Sequence, residues 1–230
     1  MNTSGVPSCL KNNSNFPFWV SMLSESRSLF NLDALSSVLD FGCGNGGFLG
    51  LINHYSPGLE LVGAEISKTL LAEASFQYKN CKNISFVDSS GLKQYIAGYF
   101  DVVYSQEVIY TLPDLKVHAN QIFNLLKPRG YYLLTIGCHV DNPTWNYRNL
   151  RIAETEAFPV HNYSIEDVSR AFYKAGFRVL LKRLPVTYPL KYVPDESDPE
   201  FENLNDLIIS SEQYKFLFVF LKPEKGVNNG

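Results

Sequence analysis

The sequence predicts a three-layer α/β/α fold whose doubly wound sheet is mostly parallel. Three observations predict it. Short apolar runs alternate with helix-period segments through the middle of the chain, capping and glycine signals bound those segments, and the first apolar run passes through a glycine-rich loop directly into a helix. Such alternation implies right-handed crossovers, which place helices on both faces of one sheet. A length of 230 residues, 45% of them apolar, fits one such domain with substantial insertions and excludes a disordered or fibrous chain.

The first thirty residues carry Phe16, Phe18, Trp19, Met22, Leu23, Leu29 and Phe30, too aromatic for a tail, and are expected as a helical cap laid against the domain. Residues 38–41 read as a short buried strand that Leu35 can extend backwards. A helix over 45–53 follows, with Phe48, Leu49 and Ile52 at helical spacing. Pro57-Gly58 turns the chain into a second strand over 59–64. Ser67 can then cap a helix bearing Leu70, Leu71 and Ala74. Strands three and four are expected over 84–87 and 100–104. Leu115, Ala119, Ile122, Phe123 and Leu126 form one helix face, and residues 127–130 end that helix and turn into a fifth strand over 131–136.

Beyond it, residues 137–163 have little period and read as a long loop or small cap. Ser164 and Asp167 form a capping box for a helix through Ala175, with Gly176 as its C-cap. Strands over 177–184 and 214–221 close the domain within 164–222, and the proline- and acid-rich 185–212 between them reads as a lid or binding loop.

Twenty basic and 23 acidic residues give a net charge of −3 without any like-charge block, which argues against a nucleic-acid or anionic-membrane partner. No run is apolar enough to span a bilayer, and the polar start lacks the pattern of a secretory signal. Cys9, Cys43, Cys81 and Cys138 are scattered and read as free thiols of a cytoplasmic protein, not as a zinc or disulfide framework.

The most informative stretch is Val38-Leu39-Asp40-Phe41-Gly42-Cys43-Gly44-Asn45-Gly46-Gly47-Phe48. Glycines allow a tight turn and close ligand approach, and the helix start offers unpaired N–H groups. Gly42, Gly44 and Gly47 satisfy the dinucleotide spacing GxGxxG, whereas Gly42, Gly44 and Gly46 satisfy GxGxG. Asp40 would repel a pyrophosphate but suits a cationic or hydroxyl-rich ligand. Glu65, at the end of the second strand, can accept both hydroxyls of a ribose, a feature common to several adenosine-bearing ligands.

This stretch resembles the first motif of class I S-adenosylmethionine-dependent methyltransferases, of the type that acts on small molecules. Asp88 at the end of strand three, the segment Asp101-Val102-Val103-Tyr104-Ser105-Gln106-Glu107-Val108, Leu112-Pro113-Asp114, the turn at 126–130 and Ala175-Gly176-Phe177 extend the resemblance in order over residues 38–184. The resemblance implies a Rossmann-like, seven-stranded sheet with an antiparallel last strand, within which residues 31–136 form the cofactor-binding half. It implies S-adenosylmethionine as donor and S-adenosylhomocysteine as product. Asp40, Gly42, Cys43, Gly44, Gly46, Glu65, Ile66, Asp88, Ser89, Gln106 and Glu107 would hold the donor. Many relatives have a histidine at the place of Thr111, so any role of that histidine is absent here.

Methyl transfer from a sulfonium is an in-line displacement in which the protein mainly aligns the reactants. A base is needed only for a protonated acceptor. His139, just past strand five at the carboxyl edge of the sheet, is the leading candidate base, with a loop hydrogen bond as the alternative. Tyr110 is a second candidate, with packing as the alternative. Trp19, Trp145, Tyr147 and Arg148 are candidate acceptor contacts, and Arg148 with Arg151 near a pocket would favour a carboxylate or phosphate acceptor. Asp141-Asn142 gives only a weak case for metal dependence, and none is expected. The acceptor is expected to be a small molecule, methylated on oxygen or nitrogen, and the protein a monomer or homodimer. Rival readings are a nicotinamide-dependent oxidoreductase, which leaves Asp40 and Asp88 unexplained, and a non-catalytic donor-binding protein.

Overall fold

The computed structural model describes residues 2–155, 158–194 and 200–224. Parts of both expected cap segments, 156–157 and 195–199, therefore lie outside the described residues, as do Met1 and 225–230. Seven strands form one sheet: β1 (Ser37–Phe41), β2 (Glu60–Glu65), β3 (Ile84–Asp88), β4 (Phe100–Gln106), β5 (Leu126–Ile136), β6 (Arg178–Arg183) and β7 (Phe216–Leu221). Their order is β3-β2-β1-β4-β5-β7-β6. β7 runs antiparallel to both its neighbours, and the pairs among β1 to β5 are parallel.

Alternate residues of each central strand face opposite ways. Val38, Leu61, Val102, Tyr104, Leu133, Leu217 and Val219 enter one core, while Leu39, Val62, Val103, Tyr132, Leu134, Phe218 and Phe220 enter the other. The first core is covered by α1 (Ser8–Lys11), α2 (Phe16–Leu29) and α3 (Gly47–Tyr55), and α4 (Lys68–Gln77) packs beside β2 and β3. The second is covered by α5 (Leu115–Leu125) and α7 (Ile165–Lys174). The helix starts follow the expected chemistry. Ser67 accepts from the Leu70 N–H, Asp114 from those of Lys116 and Val117, and Ser164 and Asp167 form a reciprocal capping box.

The N-terminal aromatics are consumed within the chain's own core. Phe16, Met22 and Leu23 are fully buried, and Tyr104 on β4 donates its hydroxyl to Ser26 Oγ at 2.9 Å, which ties α2 to the sheet. Trp19, expected at the acceptor, is instead buried over the start of α3; a Cβ on Gly47 would lie 2.3 Å from its ring.

Two segments depart from expectation. Residues 127–130, expected as a turn, lie inside β5, where the register against β4 shifts between Phe100 and Val102 and Arg129 takes φ +65°. A bulge accommodates the proline and glycine that read as a turn. The segment 137–163, expected to lack period, contains α6 (Trp145–Thr155). The 185–212 segment ends in α8 (Leu204–Ile208) and a π-turn at Ile209–Gln213.

Trp19→Ala removes a buried indole and is expected to lower the unfolding free energy by about 3–5 kcal/mol in urea titration. An acceptor-contact role would leave that stability unchanged.

Candidate active site

The carboxyl ends of β1, β2 and β4 meet at the glycine loop, where open α/β sheets bind ligands. Gly42 takes φ +78°, and a Cβ there would lie 2.3 Å from Val108 Cγ2, so the turn after β1 sits directly against the turn after β4. Gly44 takes φ +55° and has nothing within 4 Å of where a Cβ would stand, which leaves its backbone open toward a ligand. Glu65 holds the loop in this shape. One carboxylate oxygen accepts from the Gly44 N–H at 2.9 Å, and the other from those of Ile66 at 2.8 Å and Ser67 at 2.9 Å.

Asp40 shares the face of β1 that bears Val38 and is buried. Burial, and then the charge of Glu65, push its carboxyl up to about 8. Cys43 is buried, and its thiol is raised by burial and by Asp40 and Glu65, so it is no nucleophile. Ile66 is largely exposed beside the loop. Asp88 turns one oxygen to the N–H and hydroxyl of Ser90, at 2.9 and 2.6 Å; these bonds hold its carboxyl below the usual range and cap the 3₁₀ turn at Ser89–Gln94. The Gln106 amide oxygen is buried without a hydrogen-bond partner. Two carboxylates, an open glycine backbone, an exposed aliphatic side chain and an unmatched acceptor suit an adenosine-bearing cation and fit a pyrophosphate poorly.

Across the β4 turn lies a cavity of about 530 Å³. Glu107, next to Val108, lines it, as do Phe18, Tyr110, Arg148, Glu200 and Lys215. Glu107 takes φ +53°, a conformation that costs a non-glycine residue of order 1–3 kcal/mol. Its carboxylate holds the turn by accepting from the N–H groups of Gly137 at 2.7 Å and Cys138 at 3.2 Å, with Lys215 Nζ at 3.0 Å. Burial alone would raise its carboxyl, but Lys215, Arg148 and these hydrogen bonds outweigh it and hold the group ionised.

Lys215 is a site residue that the sequence reading missed. It directly precedes β7, is buried, and stands 3.8 Å over the Phe18 ring. No motif marks it; an interruption at the edge of an apolar strand reads as the limit of the core.

The other expected residues separate. His139 is fully buried and donates Nε2–H to the Tyr214 carbonyl at 2.8 Å, while Nδ1 has no partner and lies 3.6 Å from Asp141. It is not among the residues that line the cavity, and the loop hydrogen bond given as its alternative role is present. Trp145 is buried behind Tyr110, 5.8 Å between ring centres, and donates to Asn162. Tyr147 is half-buried on α6 outside the lining, and neither ring touches the cavity. Tyr110 and Arg148 do line it. Among the described residues, no group of three or more His, Cys, Asp or Glu side chains converges as metal ligands, and no helix is long and apolar enough to cross a membrane.

The strand order, with its glycine loop after β1, is that of class I S-adenosylmethionine-dependent methyltransferases. Residues 21–182 match a family model described as a methyltransferase domain, and the chain belongs to that family. A curated relative, trans-aconitate 2-methyltransferase of Escherichia fergusonii, is 26% identical over 99 residues, which span 43% of this chain and 38% of the relative. A solved S-adenosylmethionine-dependent methyltransferase from Mesorhizobium loti superposes with TM-score 0.66 at 16% identity, over 93% of this chain and 99% of that one. Phosphoethanolamine N-methyltransferase 2 of Haemonchus contortus, solved with S-adenosyl-L-methionine, does so with TM-score 0.68 at 16% identity, over 92% and 58%. These structural likenesses are likenesses of fold.

Between about pH 4 and about pH 8 the folded state retains a proton on Asp40 that the unfolded chain has released. Stability therefore falls as pH rises through that window, by up to about 1.4 kcal/mol per unit. Asp40→Asn removes this dependence. The melting temperature of the variant relative to the parent is expected to climb from pH 5 to pH 8, and a constant difference would refute the burial argument.

Proposed function

We propose that this protein transfers a methyl group from S-adenosylmethionine to an oxygen or nitrogen of a small molecule held in the cavity beyond Glu107. The observation that carries the reading is the direct contact between the glycine turn at Gly42 and Val108, whose neighbour Glu107 lines the cavity. A donor cleft and an acceptor cavity are thereby joined across a single turn of chain. When bound, S-adenosylmethionine supplies a methyl group already activated by its sulfonium leaving group.

The chain's part is to bind and align. Glu65 spends three of its roughly four acceptor sites on backbone N–H groups and keeps capacity for one ribose hydroxyl. Asp40 favours the cation. Asp88, with one oxygen committed to Ser90, presents the other to an adenine amino group beside Ser89, and exposed Ile66 covers the ring. Gln106 offers its unmatched oxygen to the donor's ammonium, and Gly42, Cys43, Gly44 and Gly46 shape the backbone cradle. On the far side Tyr110 lines the acceptor cavity, where its hydroxyl can hydrogen-bond the acceptor's reacting atom.

Small-molecule acceptors are also named for the relatives: the curated one is a trans-aconitate methyltransferase, and the worm enzyme's name gives phosphoethanolamine. Four unpaired cysteines support a reducing, cytoplasmic setting. Burial of Phe16, Trp19 and Met22 within the chain's own core leaves no exposed aromatic ridge there for a dimer and favours a monomer.

Calorimetry is expected to detect S-adenosylmethionine and S-adenosylhomocysteine but not NADH, with affinity reduced at least about ten-fold in Asp40→Ala and in Glu65→Ala. Equal binding of NADH would return the oxidoreductase reading. Tyr110→Phe is expected to lower kcat about 10²-fold for acceptors that must lose a proton. His139→Gln is expected to change stability and leave kcat in place.

A further inference from the structure

The acceptor cavity is built around two buried cations, and one of them is only half engaged. Arg148 on α6 is 5% exposed, and its Nη2 pairs with Glu200 at 2.5 Å. Its Nε, on the same edge of the guanidinium as Nη2, is buried with no partner. That edge is the fork with which arginine grips a carboxylate through two parallel hydrogen bonds. Glu200 thus occupies one prong and leaves the other empty. The ring of Phe201 lies 4.8 Å from the guanidinium carbon.

The two carboxylates at the cavity differ in how firmly they are held. Glu107 is fixed by Lys215 and by the N–H groups of Gly137 and Cys138. Glu200 has a side chain 61% exposed, whereas that of Arg148 is only 6% exposed. A carboxylate so placed gains little from its pairing, while a buried guanidinium stripped of its partner loses much. Glu200 can therefore leave at small cost, but only if another anion replaces it.

We propose, building on the methyltransferase reading above, that the acceptor bears a carboxylate which grips Arg148 through both Nε and Nη2, and that Glu200 is the chain's own stand-in, displaced when the acceptor enters. Lys215 adds a second positive charge at the cavity wall. A carboxylate is favoured over a phosphate because a carboxylate already seats on each cation, Glu200 on Arg148 and Glu107 on Lys215.

The test uses the full chain with radiolabelled S-adenosylmethionine and a panel of hydroxy and amino acids. Each acid is paired with its neutral amide, and phosphomonoesters of matched size are included. Acids are expected to be methylated, with the paired amides at least about ten-fold lower in kcat/KM. Arg148→Met is expected to raise KM for the acid at least about ten-fold with kcat little changed and calorimetric affinity for S-adenosylhomocysteine retained. Glu200→Gln, a change at an exposed residue that the fold should tolerate, is expected to lower KM several-fold. Amides that serve as well as acids, phosphomonoesters preferred to both, or a Glu200→Gln KM that rises would each overturn the carboxylate proposal while leaving the methyltransferase reading intact. Absence of binding to S-adenosylhomocysteine in the parent protein would instead remove that reading.

Discussion

The bond on which the site depends is the one between Glu65 and the glycine loop. In the loop the N–H groups of Gly42 and Cys43 reach the Ala64 carbonyl and that of Gly46 the Cys43 carbonyl, while that of Gly44 is met by a side chain. An unsatisfied buried N–H costs of order 1–3 kcal/mol. Glu65 supplies the missing acceptors for Gly44, Ile66 and Ser67, fastening the end of β2 to the turn after β1. The same carboxylate also charges the cleft: placed near a second, buried carboxylate, it creates a field that only a cation or a proton can quiet.

The cavity beyond Glu107 uses the reverse economy. There the charges are opposite and mutually paired, with Lys215 and Arg148 set against Glu107 and Glu200. The buried Lys215–Glu107 pair adds little to folding compared with an apolar filling, and the Arg148–Glu200 pair has one partner in solvent. Glu107 belongs to both sides. Its strained backbone brings the β4 turn against Gly42, while its side chain anchors the first residues after β5.

The donor half was legible in the sequence because its chemistry is local. Asp40, the glycines and Glu65 sit at strand ends that apolar runs and caps delimit, and the structure places those ends within a residue or two of expectation. The acceptor half was not legible, for three reasons. The α6 helix is mostly polar and one of its few aliphatic residues, Leu150, faces solvent, so its apolar positions are too sparse to give it away. His139 was read from its place after β5, but which way a side chain turns there depends on the Tyr214 carbonyl, far away in sequence. Lys215 meets Glu107 only because β7 inserts beside β5, a pairing between distant segments that no short-range pattern encodes.

That insertion has a consequence for how the molecule assembles. Among the described residues β6 pairs with no strand but β7, and β5 keeps an open edge until the same strand arrives, so two edges wait on β7. Pairings between such distant segments form slowly, because chain closure must precede the contacts that reward it. The Glu65 bonds to the glycine loop involve no residue beyond Ser67 and have no such dependence, whereas the β4 turn waits for residues 137–138 and Lys215 to hold Glu107. Emergence from the ribosome therefore sets an order, in which the glycine loop can be fastened while the cavity beyond Glu107 is still unfinished.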